Sequence, residues 1–237
     1  MSLQTPQISI AMTSHNREAF LETAIQSILI QTEQDFELIV WDDGSTDKSA
    51  EIARCYSKWD ERIKVIQSPH RGACFALNEA LKLARGKYLG WVDSDDYLAP
   101  SCLEETKAVL DEKTDVGLVY TYHYEVDEQL KKAILGHKCI VPYMGRDTLL
   151  VAFMTFHFRL FRKEILQQIG GLDTNLQAAF DYDFCLKASE ITDFYCLEKP
   201  LYYYRIHSNS ISSKKRLQQS QCVAEARDNA IIRRGYV

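Results

Sequence analysis

The stretch Tyr88-Leu89-Gly90-Trp91-Val92-Asp93-Ser94-Asp95-Asp96 passes from apolar residues straight into three carboxylates within four positions. An apolar run of this length that ends abruptly in acidic residues predicts a buried strand of a parallel sheet, opening into a loop at its carboxyl end. Crowded carboxylates repel one another, and only Lys87 and Arg85 lie close enough in sequence to compensate, so a bound cation is the natural neutraliser. Hard oxygen ligands select Mg2+ or Mn2+, and magnesium keeps coordination positions for water and substrate phosphates. The alternative is a solvated acidic turn that caps the next helix.

The same succession of apolar run, polar loop and amphipathic helix recurs upstream. Residues 8–12 predict a strand, Ser14-His15-Asn16-Arg17 a loop, and residues 18–31 a helix. Residues 36–41 predict a second strand and 42–47 a loop whose Ser45 to Asp47 supply N-cap chemistry for a helix over 48–58. A third strand over 63–66, a turn at Arg71-Gly72 and a helix over 74–84 lead to the strand at 87–92. In that helix Leu77, Ala80, Leu81 and Ala84 share one face. This order describes an α/β fold with a wound, mostly parallel sheet, in which ligands bind beyond the carboxyl ends of the strands. The three polar loops fall together on that edge.

Beyond Pro100 the pattern loosens. Helices are expected over 101–110, 163–169 and 181–190, the second stopped by Gly170-Gly171. Strands are expected over 116–126 and 198–206, with 129–141 a hairpin or an excursion over the mouth of the sheet. The aromatic run from Phe153 to Phe161, with Tyr120, Tyr122 and His123, either fills a core or lines a pocket. Lys214, Lys215, Arg216, Arg227, Arg233 and Arg234 make the last segment a basic helix, which would rest on anionic lipid or pack back onto the acidic domain.

Composition narrows the function classes. The chain has 237 residues, 46% of them hydrophobic, and a formal net charge of −5 with a pI near 5.7, which argues against nonspecific nucleic-acid binding. No apolar stretch approaches the roughly 20 residues needed to cross a bilayer, and no basic region with an apolar core opens the chain. A cytoplasmic protein is expected. Seven cysteines without any C-x-x-C pair fit reduced thiols rather than a zinc site or a disulfide framework.

Read together, the loops resemble those of the inverting, metal-dependent family 2 glycosyltransferases. Ile8-Ser9-Ile10 with Ser14-His15-Asn16-Arg17 is similar to that family's opening strand and P-T-Y-N-R loop. The segment from Val40 to Asp47 is similar to V-D-D-G-S-T-D, and the segment from Gly90 to Asp96 to L-D-S-D-D. Gly170-Gly171-Leu172-Asp173, the run from Ala179 to Phe184, and Tyr203 to Ser212 resemble the G-G-F-D, E-D-Y-D-L and Y-R-x-H segments, with Phe180 where many members carry Glu.

The resemblance implies a GT-A fold: a Rossmann-like, mostly parallel central sheet flanked by helices, with a smaller acceptor-side subregion and a C-terminal helix. Residues 1–100 would form the nucleotide-sugar-binding half, 101–211 the acceptor-binding half and 212–237 the basic helix. A nucleoside-diphosphate sugar, expected as the UDP form, would contact Ser14, Asn16, Arg17, Asp42 or Asp43, Arg71, Asp93 and Arg205. Mn2+ or Mg2+ would be held by Asp95, with Asp96 and His207 as further ligands. Asp181 would be the base that deprotonates a carbohydrate or lipid-linked hydroxyl acceptor, with Asp183 in reserve. A basic C-terminal helix would allow peripheral contact with the inner face of the membrane. Asp181 at a helix start also suits the helix dipole, and Arg71 a surface salt bridge. Two rivals remain: a phosphatase with Asp93 as nucleophile, and a nucleotide-binding module that has lost its base.

Overall fold

The computed structural model describes residues 5–176, 178–207 and 216–236. Its first half is β1 (Ile8–Ser14), α1 (Leu21–Leu29), β2 (Phe36–Asp43), α2 (Ser49–Trp59), β3 (Ile63–Ser68), α3 (Ala73–Lys82) and β4 (Tyr88–Trp91). There follow β5 (Tyr97–Leu98), α4 (Cys102–Glu112), β6 (Val116–Asp127), β7 (Ala133–Leu135), β8 (Arg159–Arg162) and α5 (Lys163–Ile169). The chain closes with α6 (Phe180–Ala188), β9 (Asp193–Ile206) and α7 (Arg216–Arg233). All strands join one nine-stranded sheet in the order β3-β2-β1-β4-β8-β6-β9-β5, with β7 added to β6.

Strands β3, β2, β1 and β4 are parallel, as the alternating pattern requires. Helices α1, α2 and α4 cover one face around Ile8, Ile10, Met12, Leu38 and Val40. Helices α3, α5, α6 and α7 cover the other, around Ala11, Ile39, Trp41 and Leu89. Being covered on both faces is why β2 is buried at every position and reads as a continuous apolar run rather than an alternating one. Leu21, Ala24, Ile25 and Ile28 of α1 fall at helical spacing and are all fully buried, each large side chain contributing about 1.5–3 kcal/mol.

Several local expectations are corrected. Helix α1 begins at Leu21 because Glu18 is held across the loop: its amide donates to Asp47 and its carboxylate accepts from the Lys48 amide. Lys48, not Ser45 to Asp47, occupies the N-cap of α2, although the Asp47 carboxylate still accepts from the Ser49 amide. Of the aromatic run only Arg159–Arg162 is strand, inserted antiparallel between β4 and β6, so that the two halves share one sheet. The hairpin reading of 129–141 fits: β7 pairs with Tyr124, Glu125 and Val126. Neither nearby cation neutralises the acidic loop, since Arg85 grips Glu37 at 2.8–2.9 Å and Lys87 pairs with Asp111 at 3.2 Å.

Helix α7 packs Ala226 and Ala230 onto the domain. Arg233 and Arg234 both reach Glu190, and the Arg234 side chain, 1% exposed, also meets Asp147 and the Leu186 carbonyl. These arginines are spent on the domain itself. Lys214 and Lys215 lie outside the described residues. No described helix is long and apolar enough to cross a membrane.

Candidate active site

The first two loops separate Asp42 from Asp43. Successive residues at a strand end point to opposite sides, and here the two acids do different work. Both Asp43 oxygens are committed: one accepts from the Arg71 amide, the other from the Gly72 amide, both at 2.8 Å, with His70 Nδ1 also 2.8 Å away. Asp43 therefore shapes the loop. Gly44 completes the turn at φ 72°, where a Cβ would come within 2.7 Å of the His70 nitrogen.

Asp42 is directly opposite Ser14 in the β1–β2 register, and both are 2% exposed. Among the described residues Ser14 Oγ and Asp42 Oδ1 have no hydrogen-bond partner, and the other Asp42 oxygen accepts only a long contact from the Ser45 amide at 3.4 Å. Buried polar atoms without partners cost free energy, so this pair suits a ligand that supplies donors and acceptors. Asn16, at φ 53°, clasps the loops by accepting from the Thr46 amide at 2.8 Å. Arg71 is exposed and lies over the Phe75 ring at 3.4 Å.

In the acidic loop each carboxylate has its own environment. Asp95 meets Arg17 Nε at 3.2 Å and His207 Nε2 at 3.0 Å, both on Oδ2. Burial opposes its ionisation, but the His207 hydrogen bond and the charges of Arg17 and His207 hold its carboxyl below the usual value. Asp96 is 1% exposed and accepts from the Tyr202 hydroxyl and the Arg205 amide, each at 2.7 Å. Burial, reinforced by Asp95 and Asp93, drives its carboxyl well above the usual range. Asp93 keeps 46% of its side chain in water, and burial first, then Asp95 and Asp181, raise it to about 7.

The sequence reading joined Asp95, Asp96 and His207 as metal ligands. The structure brings Asp95 and His207 into contact, but both Asp96 oxygens have protein partners. His157, absent from that reading, places Nε2 3.7 Å from Asp93 Oδ2 and lies flat on the Tyr202 ring at 4.5 Å and 9°. Asp93, Asp96 and His157 offer ligand atoms within 4.8 Å of one another. Carboxylate oxygens with an imidazole suit Mn2+ or Mg2+, and the high carboxyl of Asp93 marks a place where positive charge is wanted.

Arg205 and His207 lie either side of Phe20, whose ring is 4.8 Å from the Arg205 guanidinium and 4.6 Å from the His207 ring. Arg205 is 4% exposed, and among the described residues its Nε and Nη2, like His207 Nδ1, find no partner. The rest of the Y-R-x-H segment, Ser208 to Ser212, lies outside the described residues.

On the acceptor side α6 carries both candidate bases, and it turns them apart. Asp181 is 22% exposed and faces Arg159, whose Nη1 and Nη2 are each 3.4 Å from Oδ2. Asp183 is 3% exposed and tied to Lys187 at 2.7 Å, one helical turn on. Phe180 packs against the core. Of the aromatic candidates, Tyr120 and His123 are buried, while Phe153, Phe156 and Tyr204 are half-buried and touch one another beside His157.

The chain is 32% identical over 213 residues to the hyaluronan synthase of Pasteurella multocida, covering 90% of this chain and 22% of that protein. It spans less than a third of the length of that enzyme and of the chondroitin synthases it also resembles. Its fold is similar to S. aureus TarS in complex with UDP-GlcNAc, with a TM-score of 0.75 at 23% identity over 88% of this chain and 61% of that one. It is also similar to the mannosyltransferase PcManGT of Pyrobaculum calidifontis in complex with GDP-Man and Mn2+, with a TM-score of 0.73 at 18% identity over 97% and 65%. These likenesses establish the GT-A fold. Residues 9–170 match the sequence profile described as Glycosyl transferase family 2, and the chain belongs to that family.

Proposed function

We propose that this domain transfers a glycosyl unit from a nucleoside-diphosphate sugar, a UDP-sugar in the first instance, to a hydroxyl of a carbohydrate or lipid-linked acceptor, with inversion. The carrying observation is the buried, unpartnered pair Ser14 Oγ and Asp42 Oδ1, set beside the loop that holds Asp95, Arg17 and His207. Asp42 and Ser14 would hold the nucleoside. Arg17 and the unmet donors of Arg205 would face the diphosphate, as guanidinium groups suit phosphate oxygens. Asp93 and His157, with Asp95 and its partner His207 alongside, would hold a divalent cation, which would compensate the charge on the departing diphosphate.

Asp181 is the proposed base. In a single displacement its carboxylate takes the proton of the acceptor hydroxyl as that oxygen attacks the anomeric carbon. The bond from that carbon to the diphosphate oxygen breaks on the opposite side, and the nucleoside diphosphate leaves. Burial of Asp183 and its tie to Lys187 favour Asp181 over it in this role. Half-buried Phe153, Phe156 and Tyr204 would contact the acceptor. Buried thiols such as Cys74, Cys102 and Cys185 favour a reducing, cytoplasmic setting. The pairing of Arg233 and Arg234 with Glu190 and Asp147 favours docking of this end of α7 on the domain over contact with a membrane. Family membership displaces the phosphatase reading.

The test is thermal stabilisation by UDP, GDP, dTDP and CDP with and without Mn2+, since a ligand that binds only the folded state raises the melting temperature. A Mn2+-dependent shift with UDP, lost in Asp95→Ala, is expected. No shift with any nucleotide would sink the donor site. Normal UDP binding with equal donor hydrolysis by wild type and Asp181→Asn would favour the module that has lost its base.

A further inference from the structure

Arg159 is the largest side chain in the fully buried core, 1% exposed, on a strand whose next two residues, Leu160 and Phe161, are apolar. A guanidinium in such a place is costly unless it is paired and hydrogen-bonded. Its surroundings meet most of that requirement, with Nε alone left without a partner among the described residues. The indole of Trp91 lies 4.8 Å from the guanidinium and the Phe153 ring 5.7 Å, on strand β4 and in the segment before β8. Nη1 donates to the Thr155 carbonyl at 2.9 Å. Both terminal nitrogens then converge on one oxygen of Asp181.

A sheet core does not need this cation for packing, because a leucine or methionine would fill the space without desolvating a charge. What the arginine supplies is a fixed anchor for a side chain that lacks another. Asp181 stands in the first turn of α6, whose N-cap residue Ala179 has φ 59° and makes no side-chain capping bond. Arg159 supplies the ion pair found for Asp181, and Asp93 repels it from across the site. Without the guanidinium, nothing described would hold the Asp181 carboxylate toward the acceptor side against that repulsion.

We infer that Arg159 is a positioning residue, which acts through Asp181 by clamping its carboxylate in the orientation that receives the acceptor proton. The inference rests on the reading of Asp181 as base. Arg159 itself touches no substrate: its aromatic walls and the Thr155 carbonyl close it in. The donor pair Ser14 and Asp42 lies on other strands, so loss of the clamp leaves nucleotide binding alone and lowers turnover.

The test is a double-mutant cycle on UDP release, with water as acceptor and Mn2+ present, using whichever of UDP-glucose, UDP-N-acetylglucosamine and UDP-glucuronate the wild type hydrolyses fastest. Arg159→Met is expected to lower kcat about 100-fold with UDP affinity unchanged, the size of a misplaced general base. Arg159→Lys, which keeps the charge but not the fork, should recover about tenfold of that loss. In an Asp181→Asn background both substitutions should cost less than about threefold, because the group they act through is gone. Costs that add in full in that background overturn the clamp and leave the base reading standing. Wild-type turnover by Asp181→Asn overturns both. If Arg159→Met does not fold, the same cycle run with Arg159→Lys decides between additivity and its absence.

Discussion

Asp93→Asn should stabilise the metal-free protein, although it removes a residue of the site. Burial, Asp95 and Asp181 raise the Asp93 carboxyl from 3.8 to about 7. A carboxyl raised in this way holds its proton more tightly folded than unfolded. Its contribution is favourable below 3.8 and is lost as pH rises through about 7. Taken in full, the shift would amount to about 4 kcal/mol of destabilisation at pH 8. With 46% of the side chain in water, solvent screening reduces this to about 1–2 kcal/mol. Between pH 5.5 and 8 only the part below about 7 operates, so the wild type should lose about 1 kcal/mol across that window, or about 2–4 °C in Tm.

The assay is thermal or urea unfolding in EDTA at both pH values, for wild type and Asp93→Asn side by side. The variant should be more stable at pH 8 by about 1–2 kcal/mol and show a shallower pH dependence. Asp47, Asp60, Glu105 and Asp111 are held below their usual values, so their contributions change at more acidic pH; Asp96 is raised, partly by Asp93, so the difference between the two proteins and not the wild-type slope alone reads Asp93. Adding Mn2+ should reverse the order, stabilising the wild type more than the variant and releasing protons at neutral pH. Equal pH dependence in the two proteins, or a variant less stable at pH 8, would refute the idea that Asp93 is a strained charge awaiting a cation.

Asp42→Ala should abolish the UDP-induced shift while moving the unliganded Tm by less than about 2 °C, because its orphaned oxygen contributes nothing to the free protein. Asp43→Ala should instead lower unliganded stability by about 1–3 kcal/mol, since the Arg71 and Gly72 amides lose their acceptors; urea midpoints separate the two. Arg234→Ala should cost about 1–3 kcal/mol in urea unfolding, because the Leu186 carbonyl and Ser189 lose a donor while Glu190 keeps Arg233 and Asp147 is exposed, yet leave UDP affinity unchanged.

How much of this was legible in the sequence depends on whether a contact is local. The strands β1 to β4 and their loops were readable because each polar segment directly follows its own apolar run, and a parallel sheet gathers those ends on one edge. The acidic loop was equally plain, but its neutralisation was not. Lys87 and Arg85 are near in sequence, whereas Arg17 and His207 reach Asp95 from β1's loop and the end of β9. His157 and Arg159 were hidden for a related reason: they stand in an aromatic run whose composition says core, and their partners Asp93 and Asp181 lie on other elements.

A usable signal was nevertheless present, and it is the periodicity of the backbone. Adjacent acids at a strand end point to opposite sides, so Asp42 and Asp43 could not both face a ligand. Acids two apart on a helix point about 200° apart, so Asp181 and Asp183 could not both serve as base. In both pairs one carboxylate is tied down in the fold and the other is the one proposed for chemistry. His157 and Arg159 are a different case: His157 stands at a bend before β8 and Arg159 opens that strand, and they reach Asp93 and Asp181 respectively. A polar residue inside an apolar run is costly unless something charged or polar faces it. It therefore points to an acidic partner elsewhere in the chain before any fold is known.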